Sequence, residues 1–165
     1  MTHPSYAGIG SRATPQWCLD QMTNLGDYLQ TEGYILRSGG ADGADSAFER
    51  GCYRNHSRFS KLQWWGATKE IYLPWRGFNG HTSSRFNPSP EAMEVAAKFH
   101  PNWAACSRVA RLFHARNSHQ ILGEHLDDPV SFVICWTPGG EITGGTGQAL
   151  RIAQAYNIPI INLGA

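Results

Sequence analysis

The sequence predicts an α/β fold: a parallel sheet of about five strands with helices on both faces, a three-layer sandwich in one domain spanning residues 1–165. Three observations carry this. Strand-like and helix-like segments alternate along the chain with no hairpin signals between them, as parallel sheets require. Residues 130–136, Val-Ser-Phe-Val-Ile-Cys-Trp, form a nearly continuous apolar run, the pattern of a central parallel strand covered on both faces. Three glycine-rich turns each follow a strand-like segment and precede or open a helical one.

The first unit pairs a short strand over residues 5–9 with a helix over 15–32. Thr14-Pro15 supplies an N-cap and a proline at the first helical position, Trp17, Met22, Leu25 and Leu29 recur at helical spacing, and Gly33 closes the helix. Its turn holds Gly8, Gly10, Ser11 and Arg12, and the planar fork of Arg12 suits a phosphate or carboxylate as well as it suits open solvent. The second unit runs from a strand at 34–37 through Ser38-Gly39-Gly40-Ala41-Asp42-Gly43-Ala44-Asp45 into a helix at 41–52. Asp42 and Asp45 fall in the first helical turn, where the helix dipole favours carboxylates. Either one has a second reading, as acceptor for a ribose hydroxyl or as general base. Glu49, one turn on, reads as a solvated carboxylate.

Residues 53–68 read as an irregular connection. A third strand at 70–75 leads into a long loop over 76–88 with two Arg, a His and two Phe, long enough to close over a ligand and stack on a base. A short helix at 89–99 ends at His100-Pro101, since the residue before proline avoids helical angles. A longer helix from about 102 to the low 120s carries Arg116 and Asn117 within an apolar pattern. The run at 130–136 ends in Trp136. The third glycine stretch follows it, from Thr137-Pro138-Gly139-Gly140-Glu141 to Gly144-Gly145-Thr146-Gly147, then a helix and a last strand at 158–163.

In an open parallel sheet, ligands bind beyond the carboxyl ends of the strands where strand order reverses. The three turns therefore converge on one pocket. The expected ligand-binding set is Gly8, Gly10, Ser11, Arg12, Ser38, Gly39, Gly40, Asp42, Gly43, Asp45, Arg116, Asn117, Trp136, Gly144, Gly145, Thr146 and Gly147. The natural occupant is a phosphate-bearing small molecule, nucleotide-like, with a base stacked on Trp136 or on Trp75, Phe78 or Phe86. No Gly-Lys-Ser/Thr closes any turn, and no Asp or Glu ends the second strand, so a P-loop NTPase and a plain NAD dehydrogenase are excluded.

Composition narrows the function further. The net charge of +1 gives no field for gripping duplex nucleic acid. Cys18, Cys52, Cys106 and Cys135 contain no CxxC pair, and no His spacing completes a zinc site, so no metal is assigned and the cysteines read as reduced thiols. His114 and His119 lie five apart and do not share a helical face. No membrane-length apolar run or lipid-attachment motif is present, which gives a cytoplasmic expectation with no membrane partner. Exposed helices and apolar edge positions leave room for a homo-oligomer.

Ser38-Gly39-Gly40-Ala41-x-Gly43-x-Asp45, then Arg116-Asn117 with Ile121 and Gly123, then Gly144-Gly145-Thr146 resemble in order the motifs of the Rossmann-like core of DNA-processing protein A. The Pro-Gly-Gly and Gly-Thr elements also resemble the lysine-decarboxylase-like family, which includes cytokinin-activating phosphoribohydrolases. Both belong to the SLOG superfamily, and the small DprA-like proteins common in phages look most similar. The resemblance implies a nucleotide-binding domain that senses or sequesters its ligand. It implies as alternatives a nucleotide N-glycosidase or a single-stranded DNA-binding recombination mediator, the DNA reading being the less favoured. No cofactor is implied. The phosphoribohydrolase pattern places its catalytic glutamate where this chain has Ala149, so catalysis would fall to Asp45, Asp42 or Glu141.

Overall fold

The computed structural model describes residues 3–54 and 68–165. The connection expected at 53–68 lies almost wholly outside them. Six parallel strands form the sheet: β1 (Ser5–Gly8), β2 (Ile35–Ser38), β3 (Lys69–Leu73), β4 (Arg85–Phe86), β5 (Phe132–Cys135) and β6 (Ile160–Asn162). Their order is β4-β3-β2-β1-β5-β6. Every pairing is parallel, with Tyr6 opposite both Leu36 and Phe132. The sixth strand is the two-residue β4 inside the long loop, pairing Tyr72 with Arg85 at the sheet edge. Two residues are too few to leave a periodic signal in sequence.

Among the described residues, five helices cover the sheet: α1 (Gln16–Thr31), α2 (Ala44–Arg54), α3 (Pro90–Phe99), α4 (Arg108–Leu122) and α5 (Gly144–Ala155). Alternation along the strands sorts the core into two layers. Tyr6, Leu36 and Ile134 face α1 and α2, where Cys18, Met22, Phe48 and Cys52 complete one cluster. Ala7, Ile9, Val133 and Cys135 face the opposite side, against Ile121 and Leu122 of α4 and Ala149, Leu150 and Ile152 of α5. The third layer is thickened by α3, whose Ala92 and Ala96 pack on Ala115 of α4. Small residues there let the two backbones approach closely.

Several boundaries shift for local reasons. Pro15 caps α1 and does not open it, while the Thr14 hydroxyl bonds back to Ser11 O. Helix α2 starts at Ala44, so Asp42 lies in the turn before the helix and only Asp45 sits in its first turn. The segment after His100-Pro101 is a short 3-10 turn, Trp103–Ala105, and the Ser107 hydroxyl caps α4 by accepting from Ala110 N at 3.1 Å. Gly144–Gly147, expected as a turn, form the first turn of α5.

Candidate functional site

Strand order runs outward from β1 to β4 on one side and then returns to β5 on the other, so the switch point lies between the carboxyl ends of β1 and β5. The turns after these strands are stitched together. Ser11 N donates to Trp136 O at 3.1 Å, and Ile9 N to Ile134 O at 3.1 Å. The turn after β2 meets them from the other flank: a Cβ on Gly43 would come within 3.3 Å of Arg12 Cα, and one on Gly10 within 2.7 Å of Ala44 Cβ. The buried Ser38 hydroxyl donates to Gly8 O at 2.6 Å, tying β2 to β1 at the same level. The residues of the turns after β1 and β2 are therefore brought together with Trp136.

The glycines of the three turns divide into three groups. Gly8, Gly10 and Gly39 are packing positions. A Cβ on Gly8 would sit 2.7 Å from the Phe48 ring, and one on Gly39 would sit 2.3 Å from Arg116 Nη1. Gly40 and Gly43 adopt φ of 69° and 87°, where other residues are strained. Gly144 shares a positive φ, 66°, yet it and Gly145 are both exposed, and a Cβ on either would meet nothing within 4 Å. They open α5, and Thr143 offers no side-chain cap. The first N–H groups of a helix have no intrahelical partner and carry the positive end of its dipole. This terminus thus presents exposed, uncrowded amides in the connection after β5.

Arg116 and Asn117 come from the buried half of α4. Arg116 donates through Nη1 to Gly39 O at 2.6 Å and Tyr72 O at 3.3 Å, and through Nε to Asn117 Oδ1 at 3.2 Å. Its guanidinium carbon lies 5.9 Å from the Phe78 ring centroid and 5.4 Å from that of Phe113. Asn117 Nδ2 donates to Gly145 O at 2.9 Å. The pair therefore braces two walls at once: Arg116 holds the β2 turn and Asn117 holds the α5 terminus.

Asp45 is 5% exposed, and its Oδ2 accepts from Ala41 N at 3.3 Å. Burial pushes its carboxyl up to about 6, against the opposing pull of the Arg116 guanidinium. Asp42 is exposed on the rim, where Asn79 Nδ2 donates to its Oδ1 at 3.0 Å and to Gly40 O at 3.1 Å. Glu141 is exposed, on the far side of the turn after β5. Trp136 is half-buried against the first core cluster. Arg12 is exposed at the mouth. Ala149 is fully buried in the second core, so the position of the phosphoribohydrolase glutamate points into apolar packing.

The expectation of a solvated Glu49 is overturned. It is 8% exposed, its Oε2 pairs with Lys69 Nζ at 2.8 Å, and its Oε1 lies 3.0 Å from His81 Nε2. The long loop folds down onto α2 through this His81 contact. Asn79 and His81 are site-shaping residues that sequence reasoning passed over; the loop's length and polar content were the signal. Within that loop Trp75 and Phe78 stack edge-on with each other and with Phe113, making an aromatic wall beside Arg116. Phe86 instead lies on β4, with Arg76 6.0 Å from its ring centroid.

No protein-family model matches this chain, and no curated protein matches it in sequence. Solved structures do. DNA processing protein A from Helicobacter pylori, which binds single-stranded DNA, superposes with a TM-score of 0.60 at 18% identity, over 98% of this chain and 65% of that one. This chain thus spans just under two thirds of that neighbour. The molybdenum cofactor carrier protein from Chlamydomonas reinhardtii superposes with a TM-score of 0.53 at 15% identity, over 98% of this chain and 77% of that one. No helix among the described residues is long and apolar enough to cross a membrane. At these identities the likeness concerns architecture: the chain has the Rossmann-like α/β fold of these two ligand-binding proteins.

Proposed function

We propose that this chain is a single SLOG-type domain that binds a nucleotide or nucleotide-derived ligand at the carboxyl ends of β1, β2 and β5, as a sensor or sequestering protein. The observation that carries the reading is the open N-terminus of α5, with Gly144 and Gly145 exposed and uncrowded and tied through Asn117 and its neighbour Arg116 to the turn after β2. A phosphate accepts from the amides of that first turn and is flanked by Ser11, Arg12 and Thr146. The β2 turn forms the second wall, and the Trp75–Phe78 ledge or the Trp136 ring offers a surface for a base. Packing glycines such as Gly39 and the buried Arg116 serve this ligand by holding the turns in place. The two structural neighbours, one binding single-stranded DNA and the other carrying the molybdenum cofactor, support a ligand that bears phosphate.

A second reading, cleavage of an N-glycosidic bond, is favoured by Asp45 alone. A carboxyl held near 6 can exchange a proton at neutral pH. Its burial and its bond to Ala41 N favour a bracing role over attack by an activated water.

The test is native mass spectrometry of the purified protein, followed by calorimetric titration with AMP, ADP, ADP-ribose and a dT oligonucleotide. Binding of AMP, ADP or ADP-ribose with intact ligand recovered supports the proposal. Release of free base moves the chain to the hydrolase reading. Binding of the oligonucleotide alone, falling steeply with salt, moves it to the single-stranded DNA reading.

A further inference from the structure

A second cluster lies away from the three turns, where the chain breaks between α3 and α4. His100 ends α3, the 3-10 turn reverses the chain, Cys106 precedes the α4 cap, and His114 sits two turns into α4. One donor atom from each of the three lies within 4.8 Å of the other two. Cys106 Sγ is 3.7 Å from His100 Nδ1 and 3.6 Å from Nε2. Tetrahedral zinc, with Zn–S of about 2.3 Å and Zn–N of about 2.0–2.1 Å, sets its sulfur and nitrogen ligands about 3.5 Å apart. The separation of Cys106 Sγ from the His100 nitrogens is therefore already that of a metal shell, and His114 stands within 4.8 Å of both. The Nδ1 of His114 is buried and has no hydrogen-bond partner, a donor atom that folding leaves unsatisfied. Cys106 is also the one half-exposed thiol among the four, so an ion can reach it.

We propose that His100, Cys106 and His114 form a Zn2+ site with two imidazoles and one thiolate, its fourth position open to water. Zinc binding releases the Cys106 proton to solvent and gives His114 Nδ1 the partner it lacks. The rearrangement needed is local. The near-equal distances from Cys106 Sγ to both His100 nitrogens put the sulfur over that ring, so the ring turns to aim a lone pair at the metal. Turning exchanges the Asn102 N–H bond to His100 Nδ1, now 3.0 Å, for a metal bond. Arg116 is a positive charge near His114, and Arg151, near both His100 and His114, opposes a cation more strongly. Arg151 is held by Phe99 O and Gln148 Oε1, and the Cys106 thiolate offsets its charge. A dithiol or polyhistidine motif is absent, and the three ligands meet only because the 3-10 turn folds back.

The experiment uses the full chain, stripped of metal and titrated with Co2+ and then with Zn2+ against a chromogenic chelator. The expected result is one equivalent bound, with a thiolate-to-cobalt charge-transfer band. Cys106→Ser should abolish the band, and His114→Gln should weaken Zn2+ binding by more than about 100-fold, beyond the loss typical of outer-shell partners. Circular dichroism checks that each variant is folded, and Cys106→Ser, at a half-exposed position, keeps the test open if His114→Gln is not. Absence of the band in the wild type, or its survival in folded Cys106→Ser, overturns the assignment.

Discussion

Replacing Gly39 by alanine should unfold the brace on the β2 turn, whereas the same change at Gly145 should leave the free protein intact. A Cβ at Gly39 would lie 2.3 Å from Arg116 Nη1, 2.4 Å from Gln120 Nε2 and 2.7 Å from Arg116 Cζ. The guanidinium has to move, and it surrenders its bonds to Gly39 O and Tyr72 O. A hydrogen bond to a charged group contributes about 1.5–3 kcal/mol. The crowded atoms are the far ends of flexible side chains, and Arg116 keeps Asn117 Oδ1 and the Asp45 carboxylate as partners. The expected loss is therefore about 1.5–3 kcal/mol. For a chain of this size that lowers Tm by roughly 5–10 °C. At Gly145 the added methyl meets nothing within 4 Å, and alanine suits a helix by about 0.5–1 kcal/mol. Gly145→Ala should be neutral or slightly stabilising in the free state yet crowd the amides offered to phosphate. Differential scanning calorimetry of both variants, without ligand, decides it. A Gly39→Ala protein melting within about 2 °C of the wild type would refute the bracing role given to Arg116.

Further predictions concern the groups around this brace. The Asp45 carboxyl, raised from 3.8 to about 6, favours the fold most when protonated. Its contribution is full below about pH 4 and is lost as pH rises through about 6. That rise corresponds to about 3 kcal/mol, so the stability of Asp45→Asn relative to wild type should climb by up to that amount from pH 4 to pH 7 in urea melts. A flat difference would show that Asp45 is not desolvated. Glu49→Ala removes the carboxylate shared by Lys69 and His81, and should cost about 1–3 kcal/mol. Hydrogen exchange at residues 79–83 should speed up with it. Asn117→Ala releases Gly145 O and should weaken binding of the favoured nucleotide about tenfold, with little change in Tm. Equal affinity in isothermal titration would make Asn117 a packing residue only.

The sheet was readable from sequence because its strands are apolar runs and its crossovers are helices of ordinary length. Strand β4 was not, since two residues at an edge carry no periodicity. The three turns were legible as glycine clusters, but their glycines look alike in sequence and differ in structure. Gly39 is small because Arg116 passes beside it, while Gly145 is small against empty space. That distinction depends on a side chain 77 residues away. Glu49 read as solvated because it lies one turn beyond Asp45 on α2, and its partners come from later in the chain, Lys69 on β3 and His81 in the loop. The cluster at His100, Cys106 and His114 escaped notice for a related reason. Its spacings of six and eight residues fit no helix or CxxC pattern, and they become short distances only where the chain folds back on itself.

The most direct measurement of the central claim is a two-dimensional amide NMR titration of the labelled chain with inorganic phosphate, AMP, ADP, ADP-ribose and a dT oligonucleotide. A phosphate-bearing ligand should shift the amides of Gly144, Gly145 and Thr146 together with those of Ser11, Arg12 and residues 40–43, and Gly145→Ala should weaken the effect. Shifts confined to other surfaces, or none with any of the five probes, would contradict the claim.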